Sequence, residues 1–124
     1  MTLPRRPEDW PRAFEQAINA GDLAQAIELY DPEAKLTPPE GDATVDVEGV
    51  RELLAKMIAG KVRFRSRVIR GIQSGDIVVL YTDWTLTTPG TTAENHHRAL
   101  EVLRRQGDGS WKLIVGDPQG RDAK

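Results

Sequence analysis

Two carboxylates stand where strands could hold them against aromatic rings. Asp117 lies between Gly116 and Pro118 at the end of one apolar run, and Glu101 lies inside another. A carboxyl shielded by Trp84 and Trp111 would have its pKa raised by lost hydration and could exchange a proton near neutrality. Asp117 has a second reading, because Asp-Pro at a strand end is also an ordinary turn. Glu101 is either a pocket acid or an outward residue paired with arginine on a neighbouring strand. His96 and His97 are adjacent, so on a strand they face opposite ways and only one could join such a site. They cannot ligate one metal from the same face, and no metal or cofactor is expected. Arg63, Arg65 and Arg67 alternate along one run and could form a phosphate-binding comb. A solvated or dimer-facing strand surface, matched by acids such as Asp83, accounts for them equally and is the reading adopted. No Gly-rich phosphate loop, nucleophile elbow or metal-binding helix motif is present.

Composition narrows the classes. The 124 residues suit one domain spanning 1–124, with 1–6 and 119–124 as loose tails. Apolar residues at 39% and charged residues at 29% are ordinary for a globular protein, and a net charge of −2 argues against a nucleic-acid module. No apolar run reaches the roughly 20 residues of a membrane span. The start, MTLPRRPED, lacks an apolar signal core. With no cysteine, disulfides and thiolate chemistry are excluded. The expected setting is the cytoplasm.

The elements that position the acids can be read from periodicity. Pro7-Glu8-Asp9 marks a helix start, with Pro11 tolerable only in the first turn. Trp10, Phe14, Ala17 and Ile18 form the first apolar stripe, and Leu23, Ala26, Ile27 and Tyr30 the second. Between them Gly21 can end one helix in the left-handed conformation and Asp22 can cap the next. Asp31-Pro32 should stop that helix, with a short strand from Ala34 to Thr37. Thr37 to Gly41 reads as a rigid turn before another short strand near Thr44 to Val47. Val50, Leu53, Leu54, Met57 and Ile58 give a third helix that Gly60 ends.

Beyond Gly60 the period becomes two. Four strands are expected: Val62 to Val68 and onward, Asp76 to Thr87, Asn95 to Gln106, and Ser110 to Asp117. Turns fall at Gln73-Ser74-Gly75, Pro89-Gly90 and Gly107-Asp108-Gly109. A hairpin centred near Ser74 sets Phe64 opposite Trp84 and Arg65 opposite Asp83, with Phe64, Leu80, Thr82 and Trp84 inside. Trp111, Leu113 and Val115 share an inward phase that would carry Asp117 with them. The strand from Asn95 to Gln106 leaves both phases open. Val79, Tyr81, Leu100 and Val102 would form an outward apolar strip. Segregated helices and strands predict an α+β fold.

Four stretches carry a resemblance: NAGDLAQAIELYDPEAKL, GVRELLAKM, GDIVVLYTDWTL and ALEVLRRQGDGSWKLIVGDP. The chain resembles the SnoaL-like, DUF4440-type branch of the ketosteroid isomerase and nuclear transport factor two-like superfamily over nearly its whole length. The resemblance implies a cystatin-like, cone-shaped α+β barrel. Three N-terminal helices would pack on a curved, mainly antiparallel sheet, with a pocket at one end and a homodimer through the convex face. Phe14, Tyr30, Pro38, Phe64, Trp84, His97 and Trp111 are the residues expected around that pocket, with Tyr30 and Trp84 read first as core that grades into its wall. Phe14 stands where the catalytic tyrosine of the steroid isomerases stands, Pro38 where their base stands, and Glu101 near their third acid. Dienol chemistry needs that donor and that base, so steroid isomerisation by that mechanism is excluded.

Three functions follow. The first is a binding protein for a small hydrophobic molecule. The second is an acid–base isomerase, cyclase or hydratase acting on a cyclic or polyketide-like substrate through Asp117 or Glu101. The third is a non-enzymatic dimerisation module.

Overall fold

The computed structural model describes residues 3–38 and 43–122. A 3₁₀ turn, Pro7–Asp9, leads into α1, Trp10–Asn19, with Pro11 in its first turn. Trp10, Phe14, Ala17 and Ile18 of α1 are buried. Gly21 adopts φ 72°, and Asp22 caps α2, Leu23–Glu28, by accepting from Gln25 N–H at 3.0 Å. The strand β1, Tyr30–Leu36, then starts at once. Tyr30 is therefore the first strand residue and not the last of a helical stripe, and Pro32 sits inside the strand. β1 is an edge strand with an irregular register, where a missing N–H is tolerated.

Of the strand expected at Thr44 to Val47, only Val45 pairs, in an isolated bridge to Leu36. Val47 instead opens α3, Val47–Ala59, whose cap Asp46 accepts from Glu48 and Gly49 N–H. The turn expected through Pro39, Glu40 and Gly41 lies outside the described residues. Four strands follow: β2, Arg63–Ser74; β3, Ile77–Thr87; β4, Asn95–Arg105; and β5, Trp111–Asp117. The sheet order is β1-β5-β4-β3-β2, antiparallel except that β1 runs parallel to β5. Helix α1 packs on β2 at one edge and α3 on β1 at the other, so the sheet curls around the helices.

Two bulges alter the expected register. The first hairpin turns at Gly75-Asp76, and a bulge at Ile69 shifts the pairing beyond it. Phe64 consequently lies opposite Leu86, Ser66 opposite Trp84, and Arg67, not Arg65, opposite Asp83. The shift is by two, so the inward phase of Phe64, Thr82 and Trp84 is kept. In β5 the extra residue is Ile114, between Leu113 opposite Leu103 and Val115 opposite Val102. A single inserted residue reverses the facing of everything after it. Val115 therefore points outward, 46% exposed, and Gly116 takes the inward position opposite Glu101.

The edge strand β2 is closed by side chains of α1. Asn19 acts as a one-residue strand: its Nδ2 donates to Phe64 C=O at 2.8 Å and its Oδ1 accepts from Phe64 N–H at 2.7 Å. One turn earlier, Glu15 accepts from Ser66 N–H at 2.7 Å. At the opposite end, buried Asp31 takes both nitrogens of Arg104 plus Gln106 Nε2, tying β1 to β4 across β5. Burial alone would raise the Asp31 pKa, but bonds from Glu33 N–H, Gln106 and Arg104 bring it below the ordinary value.

The segments read as loose tails are anchored where they are described. Pro4 is buried and its C=O accepts from Trp111 N–H at 2.9 Å. Arg121 donates to Ala99 C=O and Thr82 C=O, and Asp122 accepts from His97 and from Arg98 N–H. These contacts pair polar backbone that would otherwise end a sheet unsatisfied.

Asn19→Ala orphans the N–H and C=O of Phe64 together, so a loss of about 1–3 kcal/mol is expected in urea unfolding. A loss within about 0.5 kcal/mol, the usual range for surface changes, would show that water replaces the amide freely.

Candidate functional site

A cavity of about 190 Å³ lies between α1, α3 and the inward face of the sheet. It exists because an aromatic ladder props the sheet off the helices. Trp10 stacks on Phe14 at 5.3 Å, Phe64 meets Phe14 edge-on at 5.2 Å, and Trp84 stacks on Phe64 at 5.4 Å. Tyr30 stands edge-on to Trp10 at 5.7 Å. Leu53, Leu54 and Met57 of α3 form the facing wall. Gly116 supplies the missing volume, since a Cβ there would come within 2.5 Å of Leu36 Cδ1.

Glu101 stands on this apolar wall. Pairing with Leu80 and Gly116 fixes the open phase of β4: His97, Ala99, Glu101 and Leu103 face inward. Glu101 Oε1 accepts from Thr82 Oγ1 at 3.2 Å, the one hydrogen bond its carboxyl receives among the described residues. Burial raises its pKa from 4.5 to about 7, against the opposing pull of the Thr82 hydroxyl. The phenol of Tyr30 lines the same cavity. Burial, and then the Glu101 charge, pushes its pKa upward, so it stays a neutral donor. A carboxyl of raised pKa and a neutral phenol thus share one mainly apolar space.

The other sequence-derived residues divide. Phe14, Tyr30, Phe64 and Trp84 come together on the cavity with Glu101. Asp117 reaches its mouth, but the Ile114 bulge sets it opposite Leu100, in the outward phase, with its carboxylate against Gly120 in the closing turn. The expected inward projection of Asp117 is therefore corrected. Trp111 lies outside the wall of this cavity: it is 1% exposed, under the Arg105 guanidinium at 4.8 Å. Pro38 is half-buried and lies outside the cavity wall. His97 faces inward yet is held away from the cavity, its Nδ1 2.6 Å from Asp122 Oδ2 and its ring 4.7 Å from that of Trp84. His96 points the other way, toward Glu94.

A larger open groove of about 920 Å³ runs over Arg65, Arg67, Arg98 and the His97 edge. Its arginines are exposed, and Arg65 and Arg67 face Glu94 and Asp83, as expected of a solvated strand surface. The groove is open and lined by exposed charges, and the smaller cavity is the enclosed, mainly apolar one.

Sequence reasoning missed Thr82 as the partner of Glu101 and α3 as a cavity wall. Both left a trace. Thr82 is the polar member of an apolar phase, and the α3 stripe is wider than packing on one strand requires.

Comparison with known proteins agrees with this architecture. The SnoaL-like domain model matches residues 12–114. A candidate calcium/calmodulin-dependent protein kinase type II association domain from Thiobacillus denitrificans superposes with TM-score 0.78 at 23% identity, over 95% of this chain and 98% of that one. A domain of unknown function with a cystatin-like fold from Nostoc punctiforme gives TM-score 0.78 at 13% identity, over 94% and 75%. A ketosteroid isomerase-like protein from Erwinia carotovora atroseptica gives TM-score 0.70 at 20% identity, over 94% of each chain. No curated protein matches the sequence. At these identities the solved structures speak for the fold alone. The family match spans most of the chain, and its helix–break–helix start and curled sheet are the ones described above: the protein belongs to the SnoaL-like domain family.

Proposed function

We propose that this chain is a small-molecule-binding cone protein whose apolar cavity holds one working acid, Glu101. The observation that carries the reading is a carboxyl without a counter-ion among the described residues, on a wall of aromatic and aliphatic side chains. Structural interiors avoid that arrangement, because an unpaired buried charge is costly. Ligand sites accept it, since perturbed acids gather at functional positions. The cavity is smaller than the roughly 300–1,000 Å³ of drug-sized pockets but above the 150 Å³ that holds benzene elsewhere. It therefore suits a monocyclic or small bicyclic molecule and not a steroid.

A second reading, acid–base isomerisation, cyclisation or hydration, is supported by the same carboxyl. A pKa near 7 lets one group both take and give a proton. Tyr30 would then steady the developing oxyanion. Asp117 at the mouth is the alternative base.

The outward face supports a homodimer. Ile72, Val79, Val102 and Val115 lie side by side across four strands, flanked by Tyr81 and Leu100. Ile72 is 52% exposed. A continuous apolar strip of this kind marks an interaction surface, and a second copy of the chain offers the matching one.

Three outcomes are expected. Monocyclic apolar probes should perturb the fluorescence of Trp10 and Trp84, and Leu53→Trp, which fills the cavity, should abolish the response. A response insensitive to that filling would move the site elsewhere. Light scattering should give a dimer at micromolar concentration that Val102→Glu converts to monomer; a monomeric wild type would remove the dimer.

The third outcome concerns pH. Below about pH 4.5 Glu101 is protonated folded and unfolded, and costs nothing. Above that value the unfolded chain ionises first, so stability drains as pH rises and levels off past about 7, a loss of roughly 3 kcal/mol. Glu101→Gln should match wild type near pH 4.5 and melt higher near pH 8. Parallel melting profiles would mean that Glu101 is not the shielded acid.

A further inference from the structure

We propose that the cavity's ligand is a small organic cation: a compact apolar body bearing one protonated amine, whose ammonium pairs with Glu101. This rests on the binding role proposed above and names the ligand's chemistry.

Charge selects the ligand class. Sixteen of the described residues line the cavity, and none of these is lysine, arginine or histidine, while two, Glu101 and Asp117, are acids. Each element around Glu101 can be checked. α1 presents Trp10 and Phe14, α3 presents Leu53, Leu54 and Met57, and β2 presents Phe64. On β3 the facing group is the Thr82 hydroxyl, on β1 the Tyr30 phenol, and on β5 Gly116, with Asp117 at the rim. Cations at neighbouring positions are committed elsewhere. Arg121 is bound to Ala99 C=O, Thr82 C=O and Asp83, Arg104 to Asp31 and Glu33, and His97 to Asp122. Buried carboxylates in proteins are paired. Here no described side chain supplies the counter-charge, and a cationic ligand would.

The rest of the wall agrees. Five aromatic side chains, Trp10, Phe14, Tyr30, Phe64 and Trp84, surround the space. Aromatic faces attract cations and repel anions. A neutral acceptor such as a ketone would need only a neutral donor, and Tyr30 already supplies one. The acid is the group that a ketone leaves unexplained and an ammonium accounts for. With Oε1 held by Thr82, Oε2 is left to accept an N–H, and the Tyr30 oxygen can accept another.

The two ligand classes carry opposite pH signatures. A cation binds the ionised carboxylate, so its affinity rises with pH and levels off above about 7. A neutral acceptor binds the protonated acid, so its affinity falls over the same interval.

Benzylamine, benzyl alcohol and benzoate form a cationic, neutral and anionic set of one size for titration calorimetry between about pH 5.5 and about pH 8.5. Benzylamine should bind at least about tenfold tighter than benzyl alcohol at the upper end, from a charge-assisted hydrogen bond. Benzoate should bind weakest, and benzylamine affinity should climb with pH. Glu101→Gln should erase the amine preference. Met57→Lys, which places a cation on the α3 wall, should do so independently of how Glu101→Gln folds. Benzyl alcohol binding as tightly as the amine, with affinity falling as pH rises, would overturn the cation and leave the binding role standing. Benzylamine binding undiminished in both variants would overturn it by placing the amine elsewhere. Failure of all three probes to bind a folded wild type would overturn the cation and the cavity's binding role together.

Discussion

The structure hangs on how its curled sheet is closed. A sheet that wraps three short helices must end in an open edge near them, and an open edge in a half-buried place strands its backbone groups. Asn19 resolves this by pairing with both polar groups of Phe64, with Glu15 answering Ser66 one turn away. The consequence reaches past the edge. Fixing the backbone of Phe64 fixes its ring, and the ring carries Phe14 on one side and Trp84 on the other. The cavity is what remains between that ladder and α3. Its shape therefore depends on a side-chain amide, that of Asn19, which is itself no part of the cavity wall.

The helices were legible because burial repeats there at helical spacing. Phe14, Ala17 and Ile18 are buried as their stripe requires, and Gly21 and Asp22 carry their own local chemistry into the break. Strand existence was legible for the same reason at period two. Facing was legible only up to a bulge. Phe64 kept its side because the slip was by two, whereas Val115 and Asp117 lost theirs because Ile114 is one residue too many. Nothing in Lys-Leu-Ile-Val-Gly marks which residue will be squeezed out; the partner strand and the curvature decide that. Tyr30 shows a different failure. It fits a helical stripe equally well, but β5 offers it a parallel partner in Leu113, and long-range pairing overrides local spacing.

Glu101 was the harder half of the site. Its phase became readable only when Leu80 and Gly116 stood on either side of it. The same residue facing outward would have been one more solvated acid among several. What distinguishes it is not its type but that Thr82 is its one hydrogen-bond partner among the described residues and no described cation reaches it, which only the assembled neighbourhood reveals. Asp31 makes the contrast plain. It is more deeply buried than Glu101, but Arg104, Gln106 and Glu33 N–H surround it and hold it ionised. One acid is spent on holding strands together; the other is left with its bonding capacity unfilled.

The chain beyond β5 sets the rim of the cavity, and its attachments are of one kind. Trp84 Nε1 holds Pro118 C=O, Asp122 holds His97, and Arg121 holds two strand carbonyls. All are polar bonds near the surface, and only the one from Trp84 touches the aromatic ladder; none belongs to the α1–β2 seam. Such bonds can break together in a local opening that costs far less than unfolding the domain. Opening of the rim is thereby separated from unfolding of the domain. Local openings of this kind run on the order of microseconds to seconds, while the walls behind the rim stay packed.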